Sequence, residues 1–102
     1  MKIRHTFSAL ALLAIAGTTH AQGVSPQQAR SWAAGCANCH GTNGQAQPGL
    51  ASLAGASKDE TVQKMKEFKS GARPATLMHQ LAKGYTDEQI EAIAAYFAAQ
   101  KK

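Results

Sequence analysis

Cys36-Ala37-Asn38-Cys39-His40 contains both cysteines of the 102-residue chain. Two thiols one helical turn apart can each form a thioether with one vinyl group of a haem. A histidine directly after the second thiol then lies under the ring and can ligate the iron. C-x-x-C-H is the spacing expected of c-type haem attachment. Hard chemistry of this kind belongs to the cofactor, while the polypeptide supplies ligands, burial and a docking surface. C-x-x-C also occurs in thioredoxin-like redox sites and as half of a zinc site. A structural zinc site wants four nitrogen or sulfur ligands. Beyond the first 21 residues the only other His or Cys is His79, and there is no second C-x-x-C. A redox disulfide favours a βαβ setting, and the sequence shows no strand pattern. The pentapeptide is therefore read as the attachment site of one haem c, held through Cys36 and Cys39 and ligated by His40.

The start of the chain supports this reading. Lys2 and Arg4 form a short positive region, Phe7–Gly17 is an apolar run, and Thr19-His20-Ala21 places small residues at the positions of a cut after Ala21. These are the parts of a secretory signal peptide. The run is shorter than the roughly 20 apolar residues of a spanning helix. The expected organisation is a leader over residues 1–21 and one domain over residues 22–102, periplasmic and without a membrane anchor once the leader is cut. Export fits the motif, because c-type haem is attached outside the bacterial cytoplasm.

Removal of the leader leaves 81 residues, with nine Lys and Arg against six Asp and Glu, a net charge of +3. So small a domain buries a modest core and usually needs a staple, which a covalent haem would supply. The charge is mild, and no basic run is interleaved with the six aromatics of the full chain. Nucleic acid is not an indicated partner.

Three segments open with a helix-start signal. Ser25-Pro26-Gln27-Gln28 has Ser at the cap, Pro at the first helical position and Gln three residues after the cap. Ser57-Lys58-Asp59-Glu60 and Thr86-Asp87-Glu88-Gln89 repeat the S/T-x-x-E/Q capping box. The first helix is predicted from about Pro26 into the cysteine motif, with Ala29, Trp32, Ala33 and Cys36 on one face. The second is predicted over Lys58–Lys69, stopped by Ser70-Gly71. The last is predicted over Asp87–Gln100, with Ile90, Ile93, Ala94 and Phe97 as its apolar stripe. Asp87 and Glu88 at its start and Lys101 and Lys102 at its end suit the helix dipole. The fold class is all-α.

Iron bound by His40 has a sixth position, and what fills it separates an electron carrier from an enzyme. The candidates are Met65, Met78 and His79. Met65 shares a helical face with Val62 and Phe68 and reads as core. Met78 lies in a connecting segment, Arg73–Gln80, where a core role explains it less well, and it is the favoured ligand. His79 is an adjacent competitor, otherwise read as a surface residue near the haem edge. A thioether ligand favours ferrous iron and raises the potential relative to bis-histidine ligation. A closed site favours electron transfer. An open, five-coordinate site would instead suit a haem enzyme.

Together these residues make the chain resemble the class I c-type cytochromes. The resemblance rests on Cys36–Gly44, on Leu53-Ala54-Gly55, on Met78, on Gly84–Ile90 and on Ala94–Ala98. It is nearest to small bacterial periplasmic monohaem cytochromes and to each half of the di-haem ones. Met78–Tyr85 also resembles the cytochrome subunit of flavocytochrome c sulfide dehydrogenase. The resemblance implies packed first and last helices around a haem, with Trp32 and Phe97 in their contact. It also implies a proline carbonyl that accepts a hydrogen bond from the iron-ligating histidine, for which Pro48 is the candidate; such partners commonly orient metal-bound histidines. The implied role is electron transfer, not enzymatic catalysis, with a redox protein as partner: a flavoprotein dehydrogenase, an oxidase or another cytochrome. Lys58, Lys64, Lys66, Lys69 and Arg73, with Lys83 further on, read as a solvated face or as a basic rim that steers an acidic partner.

Overall fold

In the computed structural model residues 23–102, together with Gly17, are described. The proposed leader therefore lies almost entirely outside the described residues. The described chain is all-helical: α1 (Pro26–Ala34), α2 (Ala37–His40), a 3-10 turn (Thr42–Gly44), α3 (Lys58–Ser70), α4 (Met78–Ala82) and α5 (Asp87–Ala98). None of these helices is long and apolar enough to cross a membrane.

The three expected helix starts are where the chain turns into α1, α3 and α5, but they are not equivalent. Ser25 Oγ accepts from the Gln28 amide at 3.1 Å, and Ser57 Oγ accepts from the Glu60 amide at 3.5 Å. Only Thr86 forms the reciprocal box, accepting from the Gln89 amide at 3.1 Å while its own N–H donates to Gln89 Oε1 at 2.9 Å. Gly71, at φ 83°, closes α3 in the left-handed conformation.

Two boundaries differ from expectation. The first helix does not run into the cysteine motif: it ends at Ala34, a turn follows at Gly35-Cys36, and the motif forms its own short helix. Gly35 and Cys36 keep right-handed helical backbone angles across the break, and Cys36 packs on the core. The segment Arg73–Gln80, expected as a connection, is non-helical up to Leu77 and enters the short helix α4 at Met78, and α5 ends two residues early at Ala98.

The core forms where α5 meets α1 on one side and α3 on the other. Ile90, Ile93, Ala94 and Phe97, the expected stripe, are all buried. Ala33, Ile93 and Phe97 make one cluster, joined by Trp32, Cys36, Leu53, Tyr85 and Tyr96. Val62, Ile90 and Ala94 make the other, joined by Met65 and Tyr85. Met65 is thus a packing residue, and Tyr85 touches both clusters. Full burial of a side chain such as Ile90 or Phe97 contributes about 1.5–3 kcal/mol.

The C-terminal end of α5 also holds the long loop after the motif. Tyr96 Oη donates to Asn43 Oδ1 at 3.0 Å, Gly55 N–H donates to the Phe97 carbonyl at 2.8 Å, and Gln45 Nε2 donates to the Lys101 carbonyl at 3.1 Å. Within the loop, the Gly44 carbonyl accepts from the amides of Leu53 and Ala54, and the Ala46 amide donates to Ser52 Oγ at 3.1 Å. These bonds fix the base of the segment that faces His40.

Candidate haem site

Cys36 caps α2 and Cys39 lies three residues on, so both thiols project from neighbouring positions of one turn. Both are free; Cys36 is half-buried against the Ala33–Ile93–Phe97 cluster and Cys39 is exposed. Burial pushes the Cys36 thiol above its ordinary value, against a smaller opposing effect of a backbone hydrogen bond. The motif thus presents one thiol at the core edge and one toward solvent.

His40 closes α2. Its Nδ1 lies 2.6 Å from the Ala51 carbonyl. A carbonyl only accepts, so Nδ1 carries the proton and the Nε2 lone pair is left for a metal. This corrects the assignment of the acceptor to Pro48. Pro48 lies three residues earlier and is exposed. The anchors at Gly44, Ser52 and Leu53 bring the Ala51 peptide, not the Pro48 one, opposite the imidazole. A carbonyl acceptor carries no side-chain signature. The one available signal was register, two residues before Leu53 in the Leu53-Ala54-Gly55 turn.

Met78 opens α4 and is half-buried. Leu77, Met78 and Leu81 lie at spacings that share one side of this turn. Leu77 is 61% exposed, Leu81 51%, and Leu50, in the loop near Ala51, 52%. They are the exposed large hydrophobics among the described residues, and they occur in the two segments that carry the candidate ligands. Apolar surface of this kind suits a flat apolar ring. Sequence reading had passed over these leucines because they belong to no long amphipathic helix. His79 departs from expectation: it is half-buried, and its Nδ1 is buried with no hydrogen-bond partner. His79 and Ala82, which is fully buried, are three residues apart on the inward side of α4. Among the described residues, no group of three or more His, Cys, Asp or Glu is placed to hold a bare metal ion. The donor set, two thiols on one turn and an oriented imidazole beside exposed leucines, fits a haem better than zinc.

The basic rim also takes a different form. Lys58 pairs with Glu91 at 3.1 Å, Lys64 with Glu60, Lys69 with Asp87 at 3.3 Å and Arg73 with Glu67 at 2.7 Å. Lys69 Nζ also donates to the Tyr85 carbonyl at 2.7 Å. Four of the six rim cations are thus bound to acidic residues of the same molecule. The hydrogen bonds from Lys64 to Glu60, and from Gln63 and then Arg73 to Glu67, hold both carboxyls below the ordinary glutamate value. These charges stabilise the α3 and α5 surfaces more than they advertise a positive face.

Residues 27–101 match the family model described as Cytochrome c. The chain belongs to the cytochrome c family. It is 39% identical over 70 residues to cytochrome c-554(548) of Halomonas halodenitrificans, covering 65% of this chain and 84% of the relative. It is 44% identical over 62 residues to the cytochrome subunit of sulfide dehydrogenase of Chlorobaculum tepidum, covering 61% of this chain and 56% of that one. With cytochrome c4 of Pseudomonas aeruginosa it shares 36% identity over 96 residues, covering 92% of this chain and 47% of the relative. It spans about half the length of these last two. The structure of cytochrome c4 from Acidithiobacillus ferrooxidans superposes with a TM-score of 0.61 at 38% identity, covering 63% of this chain and 37% of that chain. A cytochrome c domain carries covalently bound haem c, and Cys36 and Cys39 have the spacing for it.

Proposed function

We propose that this cytochrome is a periplasmic one-electron carrier, or the electron-transfer subunit of a redox complex, with His40 and Met78 as the two axial ligands of its haem. The observation that carries the reading is the 2.6 Å contact of His40 Nδ1 with the Ala51 carbonyl, which commits one ring nitrogen and leaves the other for iron. The haem, when bound, supplies a single electron exchanged between ferrous and ferric iron. The polypeptide does the rest. Cys36 and Cys39 hold the ring, the Ala51 carbonyl keeps the imidazole in one tautomer and one orientation, and Met78 offers a neutral, soft donor that favours the ferrous state. The leucines at 50, 77 and 81 exclude water from the ring faces. A site with both axial positions filled by protein moves electrons and admits no substrate.

The organisation proposed with it is a cleaved leader over residues 1–21 and a domain over 22–102. The 44% identity to a sulfide dehydrogenase cytochrome subunit supports a second reading, in which the chain takes electrons from a flavoprotein partner. Both readings share the ligand test. Met78→Ala is expected to abolish the spectroscopic signature of thioether ligation, lower the reduction potential and let carbon monoxide bind the reduced protein rapidly. Met65→Ala is expected to leave all three as they are. Persistence of the methionine signature in Met78→Ala overturns the ligand assignment. Rapid stoichiometric carbon monoxide binding by the unaltered protein at neutral pH overturns the closed-site reading.

A further inference from the structure

The segment that carries Met78 is weakly held by its own contacts. Residues 74–77 are non-helical, and α4 is five residues long. A helix that short has no stability of its own. Of residues 74–84, only Ala82 is buried. The hydrogen bonds inside the segment are local: the Gln80 and Leu81 amides donate to the Leu77 carbonyl, and the Gly84 amide donates to the Leu81 carbonyl.

Both ends, by contrast, are tied to the last turns of α3. At the entry, Arg73 Nε donates to Glu67 Oε2 at 2.8 Å, a second guanidinium nitrogen lies 2.7 Å from the same oxygen, and the Arg73 amide donates to the Glu67 carbonyl at 3.2 Å. The guanidinium also lies over the Phe68 ring, 5.7 Å from its centroid, and Gln63 Nε2 donates to the other carboxylate oxygen of Glu67 at 2.9 Å. At the exit, Lys69 Nζ donates to the Tyr85 carbonyl at 2.7 Å and to Asp87 Oδ1 at 3.3 Å. Among the described residues, no other hydrogen bond joins residues 73–85 to another element. Hydrogen bonds with a charged partner are the stronger kind, and Glu67, Lys69 and Arg73 are each partly shielded from solvent.

We propose that Lys69 and the Glu67–Arg73 pair are positioning residues for Met78: they clasp the two ends of its segment to α3 and so set how often the thioether leaves the iron. The proposal rests on the assignment of Met78 as an axial ligand. With both clasps closed, the segment leaves α3 only by breaking a charge-assisted bond at one end. With one clasp removed, that end is held by little besides the burial of Ala82, and the segment opens at a lower cost than the domain unfolds. The Lys58–Glu91 pair is of the same kind, at 3.1 Å, but joins α3 to α5 and involves none of residues 73–85.

Imidazole added to the ferric holoprotein reads the opening. Its nitrogen lone pair takes the position that the Met78 thioether gives up, with no change in oxidation state. Its apparent dissociation constant is the intrinsic one divided by the fraction of molecules open. Lys69→Leu and Arg73→Leu break the two clasps separately, so either variant suffices where the other fails to fold. Each is expected to lower that constant about fivefold, through the loss of a partly exposed hydrogen bond to a charged group. Lys58→Leu removes the same charge and a like ion pair, and is expected to leave the constant unchanged. In a Met78→Ala background imidazole binding needs no opening, and Lys69→Leu is expected to have no effect there.

Equal tightening by Lys58→Leu, no tightening by the clasp variants, or an undiminished effect of Lys69→Leu without Met78 overturns the proposal. A loss of global stability in the clasp variants with imidazole affinity intact makes the clasps ordinary surface pairs and overturns it too. Survival of the methionine signature in Met78→Ala refutes the ligand assignment and this proposal with it. Where that signature is lost, as expected, and the clasp variants behave like Lys58→Leu, the clasps alone are refuted.

Discussion

Gly44→Ala tests whether the loop after the cysteine motif is held as described. Gly44 is buried, at φ 81°. A Cβ there would lie 2.7 Å from the Ala54 nitrogen, 2.8 Å from Phe97 Cδ1 and 3.0 Å from Leu53 Cβ. Ordinary carbon contacts are about 3.5–4.0 Å, so three neighbours are too close at once, two in the loop base and one in the buried ring of α5. The left-handed backbone costs a non-glycine residue about 1–2 kcal/mol, and overpacking a core site costs about 1–3 kcal/mol. Together they remove about 2–5 kcal/mol from a domain whose total stability is about 5–15 kcal/mol. The melting temperature then falls by roughly 8–40 °C, at about 4–8 °C per kcal/mol for a domain of this size. Gly49 is the internal control. Its φ is 95°, and a Cβ there meets nothing within 4 Å, so Gly49→Ala keeps the backbone strain, about 1–2 kcal/mol, and loses the crowding. Guanidinium unfolding of the two holoproteins, followed by far-UV circular dichroism, measures the difference. Equal destabilisation, or a loss below about 1 kcal/mol for Gly44→Ala, would falsify the packing argument. The Gly44 carbonyl also accepts from Leu53 and Ala54. Relief of the clash would therefore displace Ala51 from His40, and a changed reduction potential is expected in the same variant.

Thr86→Ala removes the side-chain arm of the cap on α5, the 3.1 Å bond from the Gln89 amide to Thr86 Oγ1, and is expected to cost about 1 kcal/mol, more than Ser57→Ala, whose arm is 3.5 Å long; chemical denaturation ranks them, and the reverse order would count against the cap geometry. Glu60 and Glu67 have folded-state values below the ordinary glutamate. Their contribution is therefore present above the unfolded value and fades as pH falls through the folded one. Stability should drop in acid below about pH 4.3, modestly because Glu60 is exposed and Glu67 only partly buried, and Glu67→Gln should flatten the fall. An unchanged acid limb in that variant would show that the Glu67 pair contributes nothing.

Much of the site was legible because its chemistry is local. Two thiols and an imidazole at fixed spacing need only one turn of helix, so Cys36, Cys39 and His40 are readable without any tertiary contact. The helix starts at Ser25, Ser57 and Thr86 are local for the same reason, as is the stripe of Ile90, Ile93, Ala94 and Phe97. The class of fold and the identity of the cofactor follow from these short-range patterns.

What the sequence could not supply depends on which distant atoms meet. The acceptor for His40 is a backbone carbonyl eleven residues away, chosen by loop anchors on Gly44, Ser52 and α5, so a proline motif pointed to the wrong peptide. A row of lysines reads as a solvated face or as a basic rim until α3 and α5 pack and the carboxylates of Asp87 and Glu91 arrive beside Lys69 and Lys58. His79 looks like a surface neighbour of Met78 until α4 forms and turns it inward beside Ala82. Spacing along a chain determines chemistry within one turn. Hydrogen-bond partners, charge neutralisation and burial are set by contacts between elements, and those only the folded structure decides.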